Sequence, residues 1–147
     1  MSATTSTLTL TWNCDGCHAE VADGQGWVTL DMAAVTRTRG AWQAFNNEQA
    51  AKRLAEPGTL HAIRASTLMD LPGEVPWHVY HKTCDPAPEN EAYFWDIERS
   101  RTVADLMEWW LHLAGKNWFE HTDWEGFIRQ RVLPQVGGDA MQDGEAA

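Results

Sequence analysis

The stretch "WHVYHKTC" (77–84) ends in a histidine and a cysteine that are separated by two residues. The other two of the chain's three cysteines lie far upstream in "NCDGC" (13–17). Two residues between ligands let both side chains of a tight turn reach one ion, and zinc binds four such ligands tetrahedrally. Three cysteines cannot all pair as disulfides, and clustered cysteine and histidine favour metal chemistry in a reducing compartment. The spacing therefore predicts one structural Zn²⁺ with no open coordination position, bound by Cys14, Cys17, His81 and Cys84.

Three other interpretations of these stretches stay open. His78, on the opposite face of the same predicted strand, or His18, adjacent to Cys17, can replace His81 as the fourth ligand. "CDGC" could be a redox pair, but the "HAEVADGQG" that follows is a poor helix, and such pairs need a helix there. "HAE" (18–20) resembles the H-x-E of zinc deaminases, but its order relative to the CxxC is reversed.

The combination of "CDGC", a glycine-containing hairpin and "WHVYHKTC" resembles zinc modules of the CCHC treble-clef type. Half-LIM modules and poly(ADP-ribose)-polymerase-type fingers share this outline, in which a tryptophan shortly precedes HxxC. The resemblance covers about residues 12–85 and implies the same four ligands. It departs from the pattern at Asp85-Pro86, where many such modules begin a helix. The block 92–124 is also similar to the C-terminal half of small uncharacterised actinobacterial and phage proteins, a likeness that implies no activity.

Hydrophobic periodicity predicts an α+β fold. Alternation indicates strands at 7–12, 26–32, 75–80 and 92–98. A helix should begin at the N-cap Thr102, with Asp105 at its third position, and a second at a Thr122–Glu125 capping box. We expect one zinc-binding domain over 7–133, in which a small antiparallel sheet carries a treble-clef-like zinc site under two packed C-terminal helices. The tails 1–6 and 134–147 are expected to be disordered.

Residues 36–73 are predicted to be a helical insertion, with a helix over 40–58 that Pro57 and Gly58 end. Its segment 36–69 carries five basic residues against only Glu48 and Glu56, a net charge of +3. The basic residues are Arg37, Arg39, Lys52, Arg53 and Arg64.

Composition limits the classes of function. The formal net charge of −10 disfavours a general nucleic-acid binder, which needs lysine and arginine against phosphate. No run of about 18 apolar residues exists, so no membrane span is expected. The N-terminus lacks the basic and apolar regions of a secretory signal, so a cytoplasmic location is expected. Nine tryptophans predict a core rich in large rings.

No catalytic motif stands out, because a glycine-rich phosphate loop, a nucleophile elbow and HExxH are all missing from the sequence. We therefore expect a non-catalytic, zinc-stabilised binding or regulatory module that acts through contacts with a protein partner. One alternative is a nucleic-acid-binding regulator, in which the basic insertion contacts phosphate and Trp42 stacks on bases. The other is a metal-dependent hydrolase whose zinc lacks one protein ligand, with His78 or Glu20 assisting.

Overall fold

A computed structural model describes residues 8–55 and 71–137. Within these residues three strands form one antiparallel sheet in the order β2–β1–β3. The strands are β1 at Gly26–Asp31, β2 at Trp77–His81 and β3 at Ala92–Asp96. Three α-helices accompany the sheet, α1 at Met32–Ala55, α2 at Val103–Ala114 and α3 at Trp124–Arg131. The predicted α+β class, with a small antiparallel sheet and two C-terminal helices, is confirmed.

The central strand β1 has two distinct faces, as its alternating sequence predicts. Val28 and Leu30 are fully buried and face the core. Val28 lies opposite Val79 on β2 and Trp95 on β3, so the inner face is apolar across all three strands. Trp27, Thr29 and Asp31 lie on the other, outer face because successive side chains of a strand point to opposite sides.

Aromatic rings fill the space between the inner face and the helices. The ring of Trp77 contacts the rings of Trp95, Trp118 and Trp124, with centroids 5.3–6.5 Å apart. Trp109 stacks on Trp95 with centroids 4.0 Å apart, so it belongs to the edge of the core rather than to a free aromatic surface. The indole N–H groups of Trp77 and Trp124 are buried without a hydrogen-bond partner among the described residues.

The strand predicted at 7–12 does not form over the described residues 8–12, although its alternation of buried and exposed side chains is present. Leu10 and Trp12 are buried and Thr11 is exposed, as alternation requires. Residues 8–12 nevertheless form no strand ladder. The side chain of Gln135 bonds to the backbone of Thr11 instead. It accepts from the Thr11 N–H at 2.8 Å and donates to the Thr11 carbonyl at 2.9 Å. Gln135 lies in the stretch predicted to be a disordered tail, so ordered structure extends at least to it.

The two C-terminal helices begin differently. At α2 the predicted capping box is present, since Thr102 and Asp105 exchange side-chain to backbone hydrogen bonds of 3.1 Å in both directions. At α3 the predicted cap is wrong, because Asp123 and not Thr122 precedes the first helical residue. The Thr122 hydroxyl donates instead to the Phe119 carbonyl at 2.9 Å.

Helix α1 begins eight residues earlier than the predicted residue 40, directly at the end of β1. Asp31 caps it by accepting the Ala34 N–H at 3.1 Å. Val35 is the one buried residue of α1, so this helix contacts the core mainly through its first turn. Pro57 and Gly58, which were predicted to end it, lie outside the described residues.

We predict that Gly26→Ala destabilises the protein. The added Cβ would overlap the Tyr80 carbonyl oxygen and lie 2.5 Å from Val21 Cγ1. Overpacking of this kind lowers the free energy of unfolding by about 1–3 kcal/mol, which urea denaturation measures. The control is Gly40→Ala in α1, where no atom of the described residues lies within 4 Å of the new Cβ. This change should raise the free energy of unfolding by about 1 kcal/mol. Equal denaturation midpoints for the two variants would contradict the strand packing.

Candidate metal centre

A tight turn brings Cys14 and Cys17 to the same side of the chain. The Cys14 N–H donates to the Ala19 carbonyl at 2.9 Å, and the His18 N–H donates to the Cys14 carbonyl at 2.8 Å. His18 adopts a left-handed conformation with φ of 66°, the region that glycine favours. Gly16 also suits this position, because a Cβ on it would lie in a tight contact 3.3 Å from Cys84 Cβ. The turn can therefore approach Cys84 closely.

A second turn positions the other two predicted ligands. His81 is the last residue of β2, and its carbonyl accepts the N–H groups of Cys84 at 2.9 Å and Asp85 at 3.1 Å. The Lys82 N–H donates to the Gln25 carbonyl at 2.9 Å, which ties this turn to the residue before β1. The end of a paired strand thus fixes His81, and the turn returns Cys84 towards it.

The four predicted ligand atoms converge, with every pair within 4.8 Å. His81 Nδ1 lies 3.2 Å from Cys17 Sγ and 3.9 Å from Cys84 Sγ. A tetrahedral zinc ion with ordinary bond lengths requires sulfur–nitrogen separations of about 3.5 Å and sulfur–sulfur separations of about 3.8 Å. The cluster of three cysteines and one histidine therefore fits a metal ion. Cys14 is buried, His81 and Cys84 are half-buried, and Cys17 is exposed.

Hydrogen bonds outside the cluster orient its ligands. His81 Nε2 lies 3.0 Å from the Glu20 carbonyl, an acceptor that keeps the proton on Nε2 and leaves the Nδ1 lone pair for a metal. Backbone N–H groups of Gly16 and His81 donate to Cys14 Sγ at 3.3 and 3.4 Å. Hydrogen bonds from a ligand imidazole to a carbonyl, and from backbone N–H groups to a ligand sulfur, are typical of the surroundings of a metal site.

The thiols interact strongly with one another. Burial raises the pKa of Cys14, but the N–H groups of His81, Cys17 and Gly16 outweigh it and lower the pKa to about 6. Burial raises the pKa of Cys84, and its neighbours Cys14 and Cys17 raise it further. Three thiolates at this separation repel one another, so a cation is needed for all three to ionise together.

Asp15, inside the Cys14–Cys17 turn, links the cluster to two other elements. Its carboxylate accepts the Val79 N–H at 2.9 Å, contacts His78 Nδ1 at 3.2 Å and pairs with the Arg131 guanidinium of α3. Burial raises the pKa of Asp15, but the bonds from His78, Val79 and Arg131 outweigh it and lower the pKa to about 2. Since this folded-state pKa lies below the ordinary value, the stabilisation is present above about pH 4 and is lost as the pH falls towards 2.

Side chains also close the outer edge of β2. The N–H groups of Trp77 and Val79 donate to Asp123 Oδ1 at 2.8 Å and to Asp15 Oδ2 at 2.9 Å. The His81 N–H is the third in this row and faces Cys14 Sγ. An edge strand with free N–H groups can pair with another chain, and these acceptors prevent that pairing along β2. The roles of Asp15 and Asp123 have no local sequence signal, because each carboxylate bonds to a segment that is distant in the chain.

The alternative ligands lie outside the cluster. His78 pairs with Asp15 and stacks on Tyr80, with centroids 5.4 Å apart. His18 is exposed, and among the described residues only the four predicted ligands come together around one point. Glu20, considered as a catalytic carboxylate, is exposed and contributes its backbone carbonyl to His81.

The predicted nucleic-acid contacts are separate from this centre. Four of the five basic residues, Arg37, Arg39, Lys52 and Arg53, are exposed on α1. Lys52 Nζ lies 3.5 Å from Glu48 Oε1, one turn away on the same helix. Arg64 lies outside the described residues.

No helix begins at Cys84. Turns occupy residues 82–90 and lead to β3, which differs from the many treble-clef modules that start a helix at the last ligand.

Comparisons of the chain with protein-family models, with curated proteins and with solved structures found no match. Across the described parts of the chain, no helix has the length and apolar character needed to span a bilayer.

We predict that Asp15→Asn lowers the free energy of unfolding at pH 7 by about 2 kcal/mol, because a partly buried charged network loses its acceptor. Urea denaturation measures the change, and Asp96→Asn is the matched control, at an exposed carboxylate with no side-chain hydrogen bond to the described parts of the chain. Arg131→Met should cost less in the Asp15→Asn background than in the parent protein. Strictly additive effects would show that Asp15 and Arg131 are not coupled.

Proposed function

We propose that this protein is a non-catalytic binding or regulatory module, stabilised by one structural Zn²⁺, that acts through contacts with a protein partner. The observation that carries the proposal is the convergence of three thiols and one imidazole within 4.8 Å. Thiolate and imidazole ligands favour zinc over the oxygen-loving Mg²⁺ and Ca²⁺. Four protein ligands complete a tetrahedral zinc site, so no coordination position is left for a catalytic water.

The energetic scale supports a structural role for the ion. Structural zinc sites contribute about 10–16 kcal/mol of apparent binding free energy at neutral pH. Whole domains are stable by only about 5–15 kcal/mol. Zinc at this position would therefore decide whether the Cys14–Cys17 turn stays on the end of β2.

The site is best classified as treble-clef-like. The Cys14–Cys17 turn, the antiparallel β1–β2 pair and the tryptophan shortly before HxxC support this proposal. This tryptophan, Trp77, is the first residue of β2 and is buried, and His81 ends the same strand. A turn follows Cys84 at the position where many such modules begin a helix. The likeness is therefore limited to the four predicted ligands and to strands β1 and β2.

Two surface features support binding to a protein. Val103, Met107 and Leu111 lie four residues apart on α2 and are exposed, Leu111 to 75%. Residues at this spacing share one helix face, and contiguous exposed apolar surface is typical of interaction sites. The net charge of −10 favours a partner with a basic surface.

We predict one zinc ion per chain and a sharp fall in both zinc content and melting temperature in Cys84→Ser. Elemental analysis and a thermal melt measure these quantities, and the cobalt-substituted protein should give an absorption spectrum typical of tetrahedral coordination by three sulfur ligands and one nitrogen. The matched control is Thr83→Ala, at the exposed neighbouring residue, which should leave both values unchanged. An unaltered melt of Cys84→Ser would argue against a structural ion.

A nucleic-acid-binding regulator is the second candidate. The exposed side chains of Arg37, Arg39, Lys52 and Arg53 support it, and Trp42 is half-buried on the same helix. Against it, Arg37 and Arg39 are two residues apart and so do not share a helix face. The rest of the chain would also repel phosphate.

For this candidate we predict no gel shift with single- or double-stranded nucleic acid at micromolar protein and low salt, because the acidic surface outweighs the basic helix. The test compares the parent protein with an Arg37→Gln, Arg39→Gln double variant at low and moderate salt. A shift that the parent shows and the double variant loses would replace the protein-binding proposal with the nucleic-acid one.

A metal-dependent hydrolase is the third candidate, and its geometry is the least favourable. It needs an open coordination position, whereas the four predicted ligands here already fill a tetrahedron. His78 and Glu20, its candidate assisting residues, interact with Asp15 and with His81 through other contacts. A cobalt spectrum with solvent as a ligand would support the hydrolase, and the spectrum expected above excludes it.

A further inference from the structure

A small pocket lies on the outer face of the sheet, away from the aromatic core. Thr29 and Asp31 of β1 and His78 and Tyr80 of β2 form its floor, and residues 85–92 close the other side. Its volume is about 180 Å³. Sites for drug-sized ligands usually measure about 300–1,000 Å³, so this pocket suits a single side chain.

Carboxylates dominate the charged side chains around this pocket. Asp31, Asp85 and Glu91 line it, and among the described residues no lysine or arginine does. Two of these carboxylates are fixed in place: Asp85 accepts the Trp27 indole N–H at 2.9 Å, and Asp31 accepts the Ala34 N–H as the cap of α1. An ionised carboxylate can accept about four hydrogen bonds, so both retain capacity for a further donor.

An unpartnered hydroxyl points to a hydrogen-bonding ligand. Thr29 lines the pocket and is only 7% exposed, yet its side chain makes no hydrogen bond to any of the described residues. This hydroxyl is therefore free to form a hydrogen bond with a group that enters the pocket. The ring of Tyr80, which stacks on His78, adds an aromatic surface that favours a cation and its alkyl chain.

We propose that this pocket binds a lysine side chain of a basic partner peptide, a proposal that rests on the protein-binding function above. The ammonium group is compact and has three donors, which matches acceptors that come from separate elements around a small cavity. An arginine fork fits less well, because it prefers the two oxygens of one carboxylate in a plane. The acidic surface would accelerate the approach of such a peptide.

The test is a titration of the full-length, zinc-loaded, nitrogen-15-labelled protein, followed by amide NMR. The probe is a short capped glycine peptide with one central lysine, and matched peptides carry norleucine or arginine instead. The lysine peptide should give saturable shifts concentrated at Thr29, Asp31 and Ala92, with a dissociation constant on the order of millimolar for a single side chain. The norleucine peptide should give none, and the arginine peptide should bind more weakly.

Variants separate the pocket from the general charge of the protein. Asp31→Asn retains the helix cap, since asparagine caps as well as aspartate, but should weaken lysine binding about fivefold. Thr29→Val removes the hydroxyl with little change in shape and should also weaken binding. Glu108→Gln, the same loss of charge on α2 outside the pocket, should leave the affinity unchanged.

Three results would overturn the proposal: equal binding of lysine and norleucine peptides, shifts spread evenly over the acidic surface, or equal effects of Glu108→Gln and Asp31→Asn. The zinc content of the same sample is measured separately. A normal zinc content without lysine-specific shifts would therefore reject the pocket alone and leave the structural zinc site in place.

Discussion

The fold depends on holding the Cys14–Cys17 turn against the end of β2, more than sixty residues further along the chain. Closing a loop of this length has an entropic cost that grows only slowly with the number of residues, so a compact polar junction can offset it. The junction consists of the four converging ligands and of Asp15, which bonds to Val79 and Arg131. Leu10 and Trp12, just upstream, are held separately: the Leu10 N–H donates to the Arg101 carbonyl at 2.6 Å, and the Trp12 indole N–H donates to the Ser100 carbonyl at 2.8 Å.

The junction keeps two groups of negative charge apart. The thiols of Cys14, Cys17 and Cys84 require a cation before all three can ionise, whereas Asp15 has its own partners in Arg131 and His78. Arg131 also donates to the Asn13 carbonyl and lies over the Phe127 ring. A single helix residue therefore neutralises the carboxylate, bonds the turn and packs on the core, so Asp15 has a counter-charge that is independent of the candidate metal centre.

The features that the sequence predicted are those with a local or periodic signal. Alternation identified Val28 and Leu30, and the Thr102–Asp105 capping box marked the start of α2. Pair spacing identified the four ligands although the pairs are distant in the chain. The signal was missing where a side chain bonds to the backbone of a remote segment, as Asp123 does to Trp77 and Gln135 to Thr11. The sequence did not indicate the early start of α1, because "LDM" (30–32) continues the alternation of β1 through Asp31, the residue that caps the helix.

The departure from the treble-clef outline connects the metal centre to the outer face of the sheet. Because no helix begins at Cys84, the chain turns back across β1 and β2 before it enters β3. Asp85, the residue next to Cys84, accepts the Trp27 indole N–H and so attaches this returning segment to the sheet. In the function that we propose, zinc fixes Cys84 and thereby the start of the segment that lines the lysine pocket. A structural ion would then act on recognition without contacting the partner, because Cys84 directly precedes the segment that lines the pocket.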